Sequence, residues 1–461
     1  MLDSVRILLQ IAISHDCWAF SLDIAGAYLF AEPSDLVFLR APADLERILD
    51  DTEYPRTRSG RRAKYFKARR AIYGLRKSCA DWYRHYAAWL TRHGYTQSKV
   101  DACVWYRFNS PDDFVIILTH SDDNLCIGMG AYSKKELMEA WSVDFQQSPD
   151  SDGVDALSEF VGINIVRKED HLLLSTPAII DKLRQMIGPR PPVCSSPMSE
   201  AHGCDLPISS DNPAYTGIDL RKPLGVCLFV GLAVRPDIVH ECIVLAHYVG
   251  RGHLTMNVAA QVTRLGWYLL STRDSHILCL RKSDDTLRFL LDASLANDAP
   301  TLKSYYGFIG TLGTNTGAVS WRSALARCVV SSTRDSELFA CLHCTYRAFA
   351  TRLFLSEIGL RQRAPTPLGS DAMAVIQGIT VKTVHRDSRW SAIRFHVIKE
   401  AMEDLIIAAY HLPGTDNGSD MMTKILGPRL KHRHAMTSLG WGNSPQASET
   451  NSVSVTRRPH T

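Results

Sequence analysis

The chain has 461 residues, 45% of them hydrophobic and 22% charged, with 52 Lys and Arg against 48 Asp and Glu. That much apolar side chain excludes full disorder, and at roughly 100–200 residues per domain it predicts two to four folded domains. The longest apolar run, Gly225 to Val234, is about half of the roughly 20 residues a membrane-spanning helix needs, and no charged-then-apolar signal segment opens the chain. The chain is therefore expected to be neither secreted nor membrane-embedded.

Residues 1–188 alternate strand-like and helical apolar runs, such as Phe114 to Leu118 (strand) and Lys134 to Trp141 (helix). Asp23 stands at a strand-like run with Tyr28 five residues later, and Asp122 and Asp123 lie side by side between two apolar strands. Taken alone, the pair reads as a solvated hairpin turn. Between these acids, Arg56 to Lys77 carries Arg61, Arg62, Lys64, Lys67, Arg69, Arg70, Arg76 and Lys77 with no acid among them. Tyr65, Phe66 and Tyr73 are interleaved, so the run offers cations for phosphates and flat rings for bases.

Residues 189–214, rich in Pro, Ser and Asp, read as an exposed linker, and 215–285 as a helical block. The twelve cysteines are irregularly spaced and read as reduced, mostly buried thiols. Cys341 and Cys344 flank His343 but lie in a helical pattern without a second ligand pair, which argues against zinc.

Residues 286–442 begin with a strand from Leu287 that ends at Asp292, followed by strand-like Tyr305 to Gly310 and Ala318 to Arg322. A long helix follows, capped by Ser332 or Thr333, with Leu338, Phe339, Leu342, Tyr346, Phe349, Leu353 and Phe354 as its apolar stripe. Glu337 falls near its start, Asp371 follows the strand-like Pro367 to Ser370, and Asp420 opens a short helical run. Each acid singly is explained by capping, but four in one α/β layer can converge at a sheet edge and hold two Mg²⁺ for phosphodiester hydrolysis. The polar tail 443–461 is expected to be disordered.

The motifs together carry a resemblance. Asp23 with Tyr28, Ile72-Tyr73-Gly74-Leu75-Arg76-Lys77 and the Asp122-Asp123 hairpin resemble, in order and spacing, the reverse transcriptase of copia-type LTR retrotransposons. Ser304 to Gly307, Val319 to Trp321, Ser331 to Glu337, Ser370 to Ile376 and Ser419 to Lys424 resemble the ribonuclease H domain of the same family. The fold class this implies is α+β and α/β multidomain: a palm and thumb with truncated fingers, a connection, then a ribonuclease H-like mixed sheet with helices.

The resemblance implies two Mg²⁺ ions per active site, replaceable by Mn²⁺, held by Asp23, Asp122 and Asp123 in one site and by Asp292, Glu337, Asp371 and Asp420 in the other. It implies Tyr28 and Lys77 as nucleotide-binding residues, and His385 and His396 as candidates for substrate contact or proton transfer. The implied partners are an RNA template, a DNA primer, the RNA–DNA hybrid, dNTPs and other segments of the same polyprotein, with no membrane. The implied location is intracellular, in a cytoplasmic virus-like particle or the nucleus. The rival reading is a decayed or repurposed nucleic-acid-binding remnant, retaining at most ribonuclease H activity; His120-Ser121 stands where the family has Tyr-Val.

Overall fold

The computed structural model describes residues 1–42, 44, 49, 54–145, 157–191, 194–199, 209–252, 254–380 and 389–442. His385, part of the expected linker and the tail 443–461 lie outside these residues. The fold is mixed α/β and divides into two compact units.

One unit comprises Ala19–Ser98 and Ala102–Ala156. Its five-stranded sheet has the order Trp18–Asp23, Asp123–Met129, Asp113–His120, Val104–Ser110, Thr96–Gln97. The helix Ser78–Arg92 buries Trp82, Tyr86, Trp89 and Leu90, whose spacing puts them on one face, and Ala131–Asp144 buries Leu137 and Trp141. Trp89, Trp141 and Phe145 meet with ring centroids 5.1 to 5.9 Å apart, forming an aromatic core beside the sheet. A separate antiparallel ribbon, Phe38–Arg40 with Tyr65–Lys67, carries part of the basic run.

The other unit comprises Met1–Trp18, Lys99–Asp101 and Leu157–Thr461. The expected 1–188 segment therefore contributes residues to both units. The strands Glu159–Phe160, Ile163–Arg167 and His171–Ser175 continue antiparallel into Leu278–Arg281, where Leu172 faces Leu280 and Leu174 faces Leu278. The end of the expected helical block is thus a strand, preceded by the helices Arg221–Ala233, Val239–Gly250 and Met256–Ser271. The opening helix Leu2–Ser14 is almost wholly buried in this same unit. Its Arg6 guanidinium donates to the carbonyls of Leu232 (2.7 Å), Ala233 (2.9 Å) and Val319 (2.9 Å), and burial lowers its pKa to about 10.

The C-terminal sheet has the order Ser320–Leu325, Lys303–Leu312, Leu287–Asp298, Thr366–Ser370, Ile407–His411. The first three strands are antiparallel; the last two run parallel to Leu287–Asp298 and to each other. Asp292 does not end its strand as expected: the strand continues to Asp298, and Asp292 sits mid-strand opposite Gly307.

The long helix Thr333–Glu357 starts where expected, with Ser332 accepting from the backbone N–H of Asp335. Its expected apolar stripe needs correction. Tyr346, Phe349 and Leu353 are 52%, 53% and 44% exposed, while Leu338, Cys341, Cys344, Thr345 and Ala348 are buried. Small side chains on the sheet-facing side let the helix approach the strands closely, and the larger apolar residues are turned outward. Cys341 and Cys344 are buried free thiols.

Candidate active sites

Each unit carries its own set of carboxylates. In the first, Asp23 ends its strand, and Asp122 and Asp123 form the tip of the hairpin in which His120 pairs with Asp123. Ser121 at the turn has φ 61°, a left-handed conformation that a residue with a Cβ adopts at a cost of roughly 1 kcal/mol. Hydrogen bonds from three residues hold the hairpin tip in place. Trp82 Nε1 donates to Ser121 O (2.6 Å), the backbone N–H of Ile24 donates to Asp122 O (3.2 Å), and Asn124 Nδ2 donates to both Asp122 O (2.9 Å) and Leu22 O (3.3 Å). Asn124 thereby ties the hairpin to the strand that ends in Asp23.

Tyr28 lies on the short helical turn Ala27–Phe30, with its hydroxyl 3.0 Å from Ser121 Oγ and its ring 4.3 Å from that of Tyr73. Partial burial, then the nearby Asp122 and Asp23 carboxylates, raise the pKa of Tyr73. Asn124, Trp82, Ser121 and Tyr73 were not legible as a group in the sequence, because only the fold brings them to the hairpin tip. Among the described residues, the Asp23, Asp122 and Asp123 carboxylates are not drawn into one tight ligand group.

Arg61, Arg62, Lys64, Lys67, Arg69, Arg70 and Arg76 are all exposed, on or beside the ribbon whose Tyr65 is exposed as well. Lys77, just before the helix Ser78–Arg92, forms an exposed ion pair with Asp35 at 2.7 Å.

In the second unit, Asp292, Glu337 and Asp371 come together, with one ligand oxygen from each lying within 4.8 Å of the others. Asp292 comes from the central strand, Glu337 from the long helix and Asp371 from the residue after the strand Thr366–Ser370. Asp420, on the turn Gly418–Met422, joins them through Lys424, whose Nζ is 3.0 Å from Asp420 Oδ1 and 3.2 Å from Asp292 Oδ1. Gly307 makes this approach possible. A Cβ there would stand 2.3 Å from Met422 Cβ and 2.8 Å from Arg322 O, so any side chain would push the Asp420 turn off the sheet.

Asn417, fully buried, donates through Nδ2 to Asp371 Oδ1 (3.2 Å) and Leu291 O (3.1 Å), and the Thr423 hydroxyl donates to Asp292. These supporting residues were also missed at the level of sequence; Thr423 was visible only as part of a motif. His396 is exposed on the helix Arg389–Glu403 and is not part of the Asp292, Glu337 and Asp371 group.

The electrostatics of this set favour a bound cation. Burial, together with the neighbouring acids, raises Asp292 to about 7 and Glu337 to about 9, and burial raises Asp420 as well. Although its own burial opposes the charge, Asp292 and Asp420 hold Lys424 protonated. Glu337 Oε2 is buried without a hydrogen-bond partner among the described residues. An orphaned carboxylate oxygen beside two further acids is a donor set of the kind hard divalent cations take.

Residues 1–190 match the family model described as "Reverse transcriptase (RNA-dependent DNA polymerase)". This segment is similar to that family. Over most of its length the chain is similar to Pol polyproteins from transposons. It is 24% identical over 441 residues to the retrovirus-related Pol polyprotein from transposon TNT 1-94 of Nicotiana tabacum, covering 93% of this chain and 31% of the relative. The corresponding protein from transposon RE2 of Arabidopsis thaliana is 25% identical over 434 residues, covering 92% of this chain and 28% of the relative. The Transposon Ty1-DR6 Gag-Pol polyprotein of Saccharomyces cerevisiae is 23% identical over 350 residues, covering 72% and 18%. The chain thus spans less than a third of the length of these relatives.

Among solved structures, LC11-RNase H1 in complex with RNA/DNA hybrid is 10% identical with a TM-score of 0.24, over 30% of this chain and 96% of that one. RNase H1 from Halobacterium salinarum NRC-1 is 14% identical with a TM-score of 0.22, over 30% and 94%.

Proposed function

We propose that this chain is the polymerase and nuclease portion of a retrotransposon Pol polyprotein: an RNA-directed DNA polymerase in the first unit and a ribonuclease H in the second. The observation that carries the reading is the gathering of Asp292, Glu337 and Asp371, with Asp420 beside them, from four separate elements around one sheet. Carboxylates repel, so a fold that brings four to one place is organised around cations.

Asp292, Glu337, Asp371 and Asp420 would hold the divalent ions, Mg²⁺ or Mn²⁺, of the nuclease site, and Asp23, Asp122 and Asp123 those of the polymerase site. Such ions, when bound, lower the pKa of the attacking hydroxyl or water and stabilise the leaving oxygen. The protein's own part is positional. Asn417 orients Asp371, Thr423 orients Asp292, and Asn124 with Trp82 holds the Asp122-Asp123 tip against the Asp23 strand. Tyr28, packed against Tyr73, is the residue assigned to the sugar of the incoming dNTP. The exposed ribbon with Arg61, Arg62, Lys64, Lys67, Arg69, Arg70 and Arg76 supplies cations for the template–primer backbone, and Lys77 lies near its end. The substrates are then RNA template, DNA primer and their hybrid, inside the cell that carries the element.

The tighter cluster in the second unit favours one narrower reading, in which only the ribonuclease H functions. The test is incubation of the chain with Mg²⁺, dNTPs and an RNA template bearing a shorter labelled DNA primer, with both strands followed on one gel. Extension with cleavage supports the bifunctional reading. Cleavage alone supports the narrower one, and neither refutes both.

A further inference from the structure

Four acids and one lysine share the second-unit site, and the lysine is not placed like a bystander. Lys424 Nζ bridges Asp292 Oδ1 (3.2 Å) and Asp420 Oδ1 (3.0 Å), so it joins Asp292, a member of the Asp292, Glu337 and Asp371 group, to the one acid of the four outside that group. Its backbone N–H donates to Asp420 O (2.9 Å), so the turn that presents Asp420 also presents the lysine. The Lys424 side chain is 36% exposed while Asp292 is fully buried, so the ammonium caps the site from the solvent side and has room to leave it.

Resting on the ribonuclease H reading, we infer that the Lys424 ammonium occupies the position of the second divalent cation in the free protein. A cation shared by Asp292 and Asp420 needs the oxygens that Nζ already holds. Asp292, Glu337 and Asp371 can take one ion without disturbing Lys424. A second ion must displace the ammonium, which would otherwise stand within a few ångströms of a doubly charged neighbour. The phosphodiester of a bound hybrid supplies an anion to which the ammonium can move. Loading of the second position is thereby coupled to substrate, and the free protein is kept from holding a fully charged hydrolytic site. Lys424 acts as a positioning residue, through where the cations sit.

The experiment is a Mn²⁺ titration of the full chain without nucleic acid, by calorimetry and by the electron paramagnetic resonance signal of unbound Mn²⁺. An Asp23→Asn/Asp122→Asn background silences the other carboxylate set. The parent should bind one Mn²⁺; Lys424→Met should bind two, or bind at least about tenfold more tightly, since removing a unit charge a few ångströms from an ion is worth that much even at moderate dielectric. Lys424→Arg, which keeps the charge, should behave as the parent. Unfolding midpoints in EDTA and in Mn²⁺ show whether each variant folds, and Lys424→Gln replaces Lys424→Met if that variant does not. Two ions in the parent, or stoichiometry and affinity unchanged in Lys424→Met and Lys424→Gln, would overturn the inference; a merely structural lysine would lower the EDTA midpoint and leave Mn²⁺ binding unmoved. Asp292→Asn separates the two levels: if it leaves Mn²⁺ binding intact, the metal-site reading itself fails.

Discussion

The Arg6 guanidinium lies over the indole of Trp321 at 3.6 Å from the ring centroid, joining the first helix of the chain to a strand of its C-terminal sheet. Arg6 is fully buried and donates to three carbonyls, those of Val319 and Ala233 in buried hydrogen bonds. Replacing it by Met should therefore destabilise the second unit by about 2–4 kcal/mol, the cost of orphaning buried acceptors. Urea unfolding, monitored with the second unit's Trp321 and Trp441 as probes, would measure this. An unchanged midpoint would mean that the helix does not support that unit.

Gly307 should tolerate no side chain. Gly307→Ala would force the Asp420 turn away from Asp292 and cost about 1–3 kcal/mol, as overpacking does. Cleavage of an RNA–DNA hybrid should fall far more than that loss of stability explains, because Asp420 and Lys424 move with the turn. Comparing cleavage rates with unfolding midpoints tests it.

Divalent ions should stabilise the second unit. Glu337 Oε2 is buried without a partner among the described residues, and binding to the folded state alone raises the unfolding midpoint with ion concentration. Mg²⁺ or Mn²⁺ should raise the midpoint of the parent and do so much less for Glu337→Gln, as read by differential scanning fluorimetry.

Acid should weaken the fold through two histidines. Burial lowers His276 and His434 from 6.5 to about 4. The unfolded chain then takes up these protons at higher pH than the folded one, so stability is lost as pH falls from 6.5 toward about 4. Replacing both histidines by Gln should flatten the stability profile in that window. A profile as steep as the parent's would contradict this account.

Much of the second site is legible in the sequence because its acids sit at conspicuous places: Glu337 just inside a capped helix, Asp371 after a short strand, Asp420 in a Ser-Asp-Met-Met-Thr-Lys run. Asn417 and Gly307 are not, since their roles depend on which elements the sheet brings together. The strand through Asp292 continues past the acid because Ala293 and Ser294 still pair with Tyr306 and Tyr305, a register that the pattern of Leu287 to Leu291 cannot reveal. The stripe on the long helix was misread for a packing reason: hydrophobic size points to Tyr346 and Phe349, whereas close approach to the sheet selects Cys341, Cys344 and Ala348. For the helix Leu2–Ser14, nothing local in the sequence identifies the partners of Arg6.

Two sites in one chain make their most direct claim in a pair of variants. Asp122→Asn should abolish primer extension and leave hybrid cleavage at the parent rate, while Asp371→Asn should abolish cleavage and leave extension. Both would be read on one gel with labelled RNA and DNA strands. Loss of both activities in either variant, or loss of neither in both, would contradict the assignment of one carboxylate set to each reaction.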